Sequence, residues 1–264
     1  MLSETASRSM LAVFAHPDDE FAIFPWIEDA IGKGGDVHVA WLTDGGWGGQ
    51  SIERRQRESV SVLNGFGVKT QNMHFLGARL GIADGNLHEC LSRAVPVLLQ
   101  LARETRAEEI MIPAWEGGHQ DHDAAHLAGL CVADLTNAPA WEYSLYNGRN
   151  LPGALFTVLS LIPREGEVEV LHTSFAHRVK CVATCLRYSS QWKSFVGLLP
   201  LYAWQLRSGS AFVRRRAYRD ATLQRPHEGR LLYERRTGLT WDAFAAATAM
   251  FRSTDGHSGA TAQR

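Results

Sequence analysis

The stretch SMLAVFAHPDDE, residues 9–20, places an apolar run directly before a histidine and three acidic side chains. A short run of this apolar character is typical of a buried strand in a parallel sheet. Charge at the end of such a strand has two explanations. Either the acidic residues begin a helix, whose N-terminal dipole favours them, or a cation binds there.

The first half of the chain alternates between strand-like and helix-like segments. Further strands are predicted at residues 36–43, 71–76 and 109–113, and helices at 21–35, 51–67 and 88–105. Strands separated by helices of this length indicate βαβ units, and right-handed crossovers between them give a Rossmann-like, doubly wound, mostly parallel sheet with helices on both faces. No GxGxxG follows the first strand, so no dinucleotide site is predicted.

The second half of the chain is less regular. It predicts extra strands at residues 140–146, 153–161 and 168–173 and a helix at 176–194, and it leaves 198–218 unassigned. We expect residues 1–252 to form a single α/β domain. Residues 253–264 are small and polar, which predicts a disordered tail.

Composition narrows the class of partner. The 264 residues carry a formal net charge of -1, so no overall field attracts an anionic membrane, and nucleic acid is not expected as a partner. Four cysteines without a CxxC pair favour reduced thiols and a reducing compartment. The N-terminus lacks the apolar segment of a secretory signal, and no apolar run approaches the ~20 residues of a membrane span. These features predict a cytoplasmic protein with no integral membrane segment; they leave its oligomeric state open.

Three polar clusters follow predicted strands. AHPDDE follows the first, TDGGWGG (residues 43–49) the second, and AWEGGHQDH (residues 114–122) the fourth. The carboxyl ends of parallel strands share one edge of a sheet, so we expect these clusters to converge. Imidazole and carboxylate groups are ligands that Zn²⁺ prefers, and two histidines, one aspartate and a water make a catalytic type of zinc site.

The order and spacing of these motifs resemble the PIG-L/LmbE-like family. AHPDDE after a first strand, LTDG after a second, an RxxE sequence in the next helix and HQDH after a later strand carry the resemblance, which covers roughly residues 9–130. It extends weakly to Glu142-Tyr143 and to residues 189–191. Members of that family are zinc-dependent N-deacetylases of N-acetylglucosamine conjugates and related amino sugars, so the resemblance implies an amide hydrolase with a small-molecule N-acyl amino-sugar substrate.

The resemblance also implies roles for individual residues. His16, Asp19 and His122 would hold one Zn²⁺ per chain, for which Fe²⁺, Co²⁺ or Mn²⁺ could substitute. Asp18 would be the general base.

The remaining roles concern the substrate. His119 would polarise the substrate carbonyl or protonate the leaving amine, and Asp121 would orient His119 and favour its imidazolium form. Arg55 would reach the substrate from the second helix, in a register set by Glu58. The neighbouring arginines, Arg54 and Arg57, are expected on a solvated helix face.

Several polar residues have two interpretations, one as part of the site and one as purely structural. Glu20 either supports the site or is a first-turn helix acid. Thr43 and Asp44 either touch the site or form a turn before glycines. His122 and His126 have the spacing of a zincin helix, HExxH, with aspartate for glutamate; the alternative is that His126 packs beneath the site.

Other side chains are weaker candidates for substrate contact. Trp47, Trp115 and Trp192 are candidate sugar-stacking faces, and each is equally well explained as a buried tryptophan. Residues 195–204 are apolar enough to contact a lipid carrier or a partner, although core packing is favoured. The arginines at positions 214–216 and 219 would suit a phosphate, with a solvated face as the default.

Three functions remain open at this stage. The first is zinc-dependent N-deacetylation of an amino sugar. The second is another metal-dependent hydrolase. It would be either a phosphoesterase, or a zincin-like peptidase or amidase in which His122 and His126 bind the metal. The third is a binding protein with a degenerate site. All the predicted catalytic positions hold competent residues, which counts against this alternative.

Overall fold

The computed structural model describes residues 8–46, 49 and 51–253 of the chain. Nine strands lie within these residues: β1 (Ser9–Phe14), β2 (Asp36–Trp41), β3 (Met73–Phe75), β4 (Glu109–Pro113), β5 (Ala140–Tyr143), β6 (Tyr146–Asn147), β7 (Thr157–Val158), β8 (Val168–Leu171) and β9 (Phe212–Arg216).

Ten α-helices lie in the same described part of the chain: α1 (Phe24–Gly32), α2 (Ile52–Asn64), α3 (Leu76–Leu80), α4 (Leu91–Glu104), α5 (Gln120–Thr136), α6 (Phe175–Cys185), α7 (Trp192–Gln205), α8 (Leu232–Arg236), α9 (Trp241–Ala247) and α10 (Ala249–Arg252). Short 3-10 turns occur at Asp19–Ala22, Thr70–Asn72, Leu87–Glu89, Ser189–Gln191 and Arg219–Leu223.

The central sheet has seven strands in the order β3-β2-β1-β4-β5-β9-β8. The first five are parallel, whereas β9 is antiparallel to both β5 and β8. β2 and β3 lie on one side of β1, whereas β4 and β5 lie on the other, so the strand order changes direction at β1. Open α/β sheets form their binding crevice at such a point. The predicted fold class, a mostly parallel Rossmann-like sheet with helices around it, is confirmed.

Alternate side chains of β1 supply two apolar cores. Met10, Ala12 and Phe14 belong to one core, together with side chains of α1, α6 and α7. Leu11 and Val13 belong to the other, together with side chains of α4 and α5. Because successive residues of a strand point to opposite faces, a strand buried on both sides must be apolar throughout, as β1 is.

The second half differs from the prediction in three places, of which the first is the strand expected at 140–146, divided here between β5 and β6. The helix expected at 176–194 is two elements, because α6 ends at Cys185 and α7 begins at Trp192 after a 3-10 turn. Glu58 of α2 holds this turn, accepting hydrogen bonds from the backbone N–H and hydroxyl of Ser190 at 3.0 and 2.6 Å. The strand expected at 153–161 is reduced to β7, which pairs with β6 outside the main sheet.

The assignment of residues 1–252 to one domain stays a prediction. The tail expected at 253–264 lies outside the described residues except for Ser253. In the part of the chain that the structure describes, no helix has the length and apolar character required to cross a membrane.

Candidate metal centre and catalytic pocket

Asp19 folds back onto the end of β1. Its Oδ2 accepts hydrogen bonds from the backbone N–H groups of Ala15 and His16, at 3.1 and 2.7 Å. Its Oδ1 lies 3.1 Å from Nε2 of His122, which comes from the first turn of α5. One carboxylate oxygen therefore fixes the loop while the other faces the second histidine cluster. Burial alone would raise the pKa of Asp19, but His122 and His16 hold it well below its usual value.

His16 is buried among carboxylates. Its Nε2 lies 3.1 Å from Oδ2 of Asp121 and 3.3 Å from Oδ1 of Asp84. Burial alone would lower the pKa of His16, but Asp84, Asp121 and Asp19 outweigh burial and raise it well above its usual value. An environment that favours a cation on this imidazole also favours a metal cation beside it.

His119 caps the N-terminus of α5. Its Nδ1 accepts a hydrogen bond from the backbone N–H of Asp121 at 3.2 Å. Nδ1 is therefore unprotonated, and the proton of the neutral ring is on Nε2. Burial and the neighbouring His16 lower the pKa of His119 to about 4, so in this arrangement the ring is neutral at physiological pH. The imidazolium form expected from the sequence is not the one that these surroundings favour.

Asp121 contacts a different histidine from the one expected. Its Oδ2 faces His16, and its carboxylate also accepts hydrogen bonds from the backbone N–H groups of Gly85 and Leu87, at 2.5 and 3.0 Å. Only its main-chain N–H contacts the His119 ring. The Asp121 carboxylate thus ties the 81–87 loop to α5 and to His16.

Asp18 has a strained backbone. Its φ of 122° and ψ of -18° place it in a region that residues with a Cβ rarely adopt. Its Oδ1 accepts a hydrogen bond from Nη2 of Arg55 at 3.2 Å. Burial raises the pKa of Asp18 to about 7, although Arg55 pulls it down. A carboxyl group with a pKa near neutrality is well matched to proton transfer.

Arg55 joins three loops. Ser51 caps α2 by accepting a hydrogen bond from the backbone N–H of Arg54, and Arg55 projects from the first turn. Its guanidinium donates to the carbonyl oxygens of Pro17, at 2.7 Å, and Gly45, and its Nη1 lies 3.5 Å from Oδ2 of Asp84. Arg54 and Arg57 are exposed, as expected for a solvated helix face.

Glu20 supports the strained residue. It is fully buried, and its Oε2 accepts hydrogen bonds from the backbone N–H of Asp18 at 2.9 Å and from Nε1 of Trp41 at 3.3 Å. Of its two interpretations, the geometry therefore favours support of the site. Burial raises the pKa of Glu20.

Thr43 and Asp44 hold loops together behind the pocket. The hydroxyl of Thr43 donates to the carbonyl oxygen of Ala15 at 2.7 Å. Oδ1 of Asp44 accepts from the backbone N–H groups of Gly46 and Asp84, at 2.8 and 3.1 Å. Both residues therefore act on the site through the loops that they position.

Sequence reasoning missed three residues here. Asp84 reaches His16 and Arg55 from the loop between α3 and the Leu87–Glu89 turn. The ring of Tyr146 lies 5.2 Å from that of His122, between ring centroids. Fully buried Glu116 positions this tyrosine, because its carboxylate accepts from the backbone N–H groups of Leu145 and Tyr146, at 2.8 and 2.9 Å. An acidic residue in the otherwise apolar and glycine-rich AWEGG was the available signal for Glu116.

His126 points away from the predicted metal ligands. Its Nδ1 donates to the carbonyl oxygen of Pro113 at 2.8 Å and lies 3.7 Å from Oε2 of Glu142. No group of three or more potential metal ligands in the described residues includes His126. This favours packing beneath the site over the zincin arrangement.

Two of the three arginines of β9 are engaged in structural ion pairs. Arg214 lies 3.2 Å from Glu109 and 2.7 Å from Glu169, and Arg215 pairs with Glu142. Arg219, beyond the strand, pairs with Asp134. These carboxylates already neutralise the guanidinium charges that a phosphate would bind, which disfavours a phosphate site on Arg214, Arg215 or Arg219.

A cavity of about 320 Å³ opens over these side chains, at the small end of the range for small-molecule sites. The chemistry-bearing side chains on its wall are His16, Asp18, Asp19, Arg55, Asp84, His119 and Tyr146. The remaining wall is formed by Phe21, Gly118, Gln120, Gln191, Ser194, Phe195, Leu198, Tyr233, Arg236 and Thr237.

The candidate stacking tryptophans do not line this cavity where they are described. Trp115 is fully buried and donates from Nε1 to the carbonyl oxygen of Gln224 at 3.1 Å. Trp192 is exposed at the start of α7 and lines a different groove. Trp47 lies outside the described residues.

The residues present fit a metal ion. One ligand atom from each of His16, His119 and His122 lies within 4.8 Å of the others. His122 is almost fully buried, and among the described residues neither of its ring nitrogens has a hydrogen-bond partner. A buried imidazole without partners is costly unless something else binds it. The close approach of Asp19 Oδ1 to His122 Nε2, without a hydrogen bond between them, suits two ligands of one cation.

Residues 11–133 match the family model described as PIG-L: GlcNAc-PI de-N-acetylase. This match to the PIG-L family spans just under half of the chain. The matched residues run from within β1 to within α5, and they include AHPDDE and HQDH. The resemblance stated from the sequence is confirmed.

Solved structures share the architecture of this chain. Teicoplanin deacetylase, in a zinc inhibited form, is 16% identical, with a TM-score of 0.61 over 79% of this chain and 98% of its own. N,N'-diacetylchitobiose deacetylase from Pyrococcus horikoshii is 13% identical, with a TM-score of 0.57 over 80% of this chain and 84% of its own. At such identities the likeness establishes the fold alone. No curated protein matches the chain by sequence.

Proposed function

We propose that this protein is a zinc-dependent hydrolase that removes an N-acetyl or other N-acyl group from an amino sugar, such as an N-acetylglucosamine conjugate. The products would be the carboxylic acid, acetate in the simplest case, and the free amine. The observation that carries the proposal is the approach of Asp19 Oδ1 to His122 Nε2, at 3.1 Å. Asp19 and Asp18 both line the cavity beside this pair.

The PIG-L match and the deacetylase neighbours support amide hydrolysis over other metal chemistry. We assign His16, Asp19 and His122 as the metal ligands. When bound, zinc would supply an activated water and polarise the substrate carbonyl.

Asp18 would move the proton. The attacking water gives a proton to the Asp18 carboxylate as its oxygen bonds to the carbonyl carbon. When the C–N bond breaks, Asp18 returns this proton to the departing nitrogen, which leaves as a neutral amine. A pKa of about 7 allows the same group to accept and to donate near neutral pH.

His119 and Tyr146 would face the carbonyl oxygen. The neutral His119 ring carries its proton on Nε2, which can donate a hydrogen bond as negative charge develops on that oxygen. Burial raises the pKa of Tyr146 above its usual value, so its hydroxyl keeps its proton and remains a donor. Arg55 would hold the ionised Asp18 carboxyl in place and border the sugar.

A phosphoesterase remains the main alternative because a second group of potential ligands exists: His16, Asp84, His119 and Asp121. This group favours a second metal less than it first suggests. The Asp121 carboxylate already accepts two backbone hydrogen bonds, and Asp84 lies beside Arg55.

A substrate panel tests the proposal. Zinc-loaded protein is incubated with N-acyl amino sugars that vary in aglycone and acyl length, and released amine is measured with an amine-reactive fluorophore. Asp18→Asn, verified to retain zinc, is the matched control. We expect amine release by the wild type alone. Phosphate release from phosphoesters, without amine release from any sugar, would overturn the assignment.

A further inference from the structure

Acidic residues are absent from one long segment of the sequence. Residues 170–219 contain nine of the 27 lysine and arginine residues of the chain and none of its 28 acidic residues. The near-zero net charge of the whole chain hides this separation. Five of the nine cations, Arg178, Lys180, Arg187, Lys193 and Arg207, lie on or beside α6 and α7.

The same two helices expose large apolar side chains at helical spacing. Phe175, Val179 and Leu186 follow one face of α6 and its C-terminal end, at i, i+4 and i+11. Trp192 and Val196 begin a matching stripe on α7. Phe175 is 75% exposed, Leu186 67%, Val196 65% and Trp192 60%. We call this surface, with the five cations, the α6–α7 face.

The two stripes meet in a groove of about 310 Å³. Its lining includes Leu186 from the end of α6 and Trp192, Val196, Leu199 and Pro200 from α7. An exposed, continuous apolar surface of this kind marks a site of interaction.

Cations accompany the exposed aromatic rings. The Arg207 guanidinium lies 3.4 Å from the ring centroid of Trp204, Lys193 Nζ lies 6.0 Å from that of Trp192, and the Arg178 guanidinium lies 5.8 Å from that of Phe175. Of the five cations, only Lys180 forms an ion pair with a carboxylate among the described residues, at 2.7 Å from Glu28. Aromatic and aliphatic side chains flanked by unneutralised lysine and arginine are typical of helices that lie in the interface of an anionic membrane.

Charge argues against a second copy as the occupant. In a two-fold dimer the same patch meets itself, so the α6–α7 face would bring two sets of cations together without carboxylates between them. An anionic surface relieves this repulsion and also accepts the protruding side chains. We propose that the α6–α7 face docks this protein onto an anionic lipid bilayer.

The position of α7 gives this surface a consequence for the pocket. Gln191, Ser194, Phe195 and Leu198 line the catalytic cavity, and Phe195 also lines the groove. One helix thus separates the cavity from the docking surface. Docking would hold the cavity beside the bilayer, whatever reaction it performs, and the inference does not rest on the proposed hydrolase activity.

Vesicle sedimentation tests docking without any turnover. The purified 264-residue protein is mixed with vesicles of phosphatidylcholine alone or with 30 mol % phosphatidylglycerol, at 0.1 and 0.5 M NaCl, and the bound fraction is measured. We expect binding to the anionic vesicles that weakens at the higher salt, since surface charge is then screened.

Two variants probe the face, each with a matched control elsewhere. Lys193→Glu is compared with Arg103→Glu, an exposed arginine of α4, and Trp192→Ala with Met250→Ala, an exposed apolar residue of α10. Thermal unfolding confirms that each variant is folded. We expect roughly tenfold weaker partitioning for the two α7 variants and no change for the controls.

Other outcomes would overturn the proposal. These are no binding to either vesicle, equal binding to both, or equal loss in the control variants. Sedimentation equilibrium without lipid supplies a further check. A dimer that Trp192→Ala dissociates would assign the face to a second copy instead.

Discussion

The Asp18 carboxylate accepts a hydrogen bond from Nη2 of Arg55 at 3.2 Å, which joins the proposed base to the first turn of α2. Burial raises the pKa of Asp18 and the guanidinium opposes that rise. A base acts only when ionised, so kcat/KM is expected to fall as the pH drops through about 7.

Removing the guanidinium should shift this pH dependence. In Arg55→Ala the pKa of Asp18 rises further, so the acidic limb of the kcat/KM profile moves to higher pH, by roughly one to three units. Arg54→Ala, on the exposed side of the same turn, should leave the limb in place. An unshifted limb in Arg55→Ala would show that Asp18 is not the titrating base.

Metal content should distinguish the proposed ligand set, which contains Asp19, from an alternative set of three histidines. His16, His119 and His122 are close enough together to bind an ion without Asp19. If Asp19 is a ligand, Asp19→Asn should lower zinc affinity by at least tenfold, whereas His119→Gln should retain zinc and lose kcat. Zinc per chain is measured by atomic emission after dialysis, and affinity by chelator competition.

His126→Gln is the control for that experiment, since its ring donates to the Pro113 carbonyl and contacts no predicted ligand. It should retain zinc. Loss of zinc from His119→Gln with normal binding by Asp19→Asn would replace the proposed set with the three histidines.

The backbone of Asp18 predicts an unusual order of stability. At φ 122°, a side chain with a Cβ is strained by about 1–3 kcal/mol, a strain that glycine does not experience. Asp18→Gly should therefore be about 1 kcal/mol more stable to urea than Asp18→Ala, although both lack the base and should be inactive. Both lose the contact to Arg55, so the comparison isolates the backbone. Equal stability would argue against the strain.

Glu20 should behave as a positioning residue. Glu20→Gln keeps a carbonyl oxygen that can accept from the Asp18 backbone N–H, whereas Glu20→Ala leaves that donor and Trp41 Nε1 without their acceptor. We expect Glu20→Ala to lower kcat with little change in KM and to destabilise the fold by about 1–3 kcal/mol. Rescue by Glu20→Gln is the decisive readout, and a low kcat in both variants would instead indicate that the charge itself is required.

The alternation of strands and helices was sufficient to predict the parallel sheet and the meeting of AHPDDE with HQDH. AHPDDE begins at the residue after β1, HQDH lies a few residues after β4, and these two strands are neighbours in the sheet. Parallel topology alone then brings Asp19 and His122 together. The roles given to His16, Asp18, His119, Asp121 and Arg55 stay predictions, although all five lie in one cluster.

The rest of the site depends on tertiary packing that the sequence pattern does not encode. Asp84 reaches His16 because Asp44 and Asp121 hold its loop, a contact between residues about 40 positions apart. The neutral state of His119 depends on burial beside His16, whereas its proximity to Asp121 in the sequence suggested a cationic ring. The break between α6 and α7 depends on Glu58, which lies in a distant helix.

The contacts of the Arg55 guanidinium, together called the Arg55 clamp, also affect how the pocket forms. Its guanidinium meets atoms of residues 17, 18, 45 and 84, which belong to segments that follow different strands. None of these contacts is local, so the entropy of closing several loops must be overcome before they contribute. Secondary structure and the β1–β2 pair can form without the clamp, but the pocket cannot. Catalytic competence is thus expected among the last properties acquired during folding and the first lost when the structure loosens.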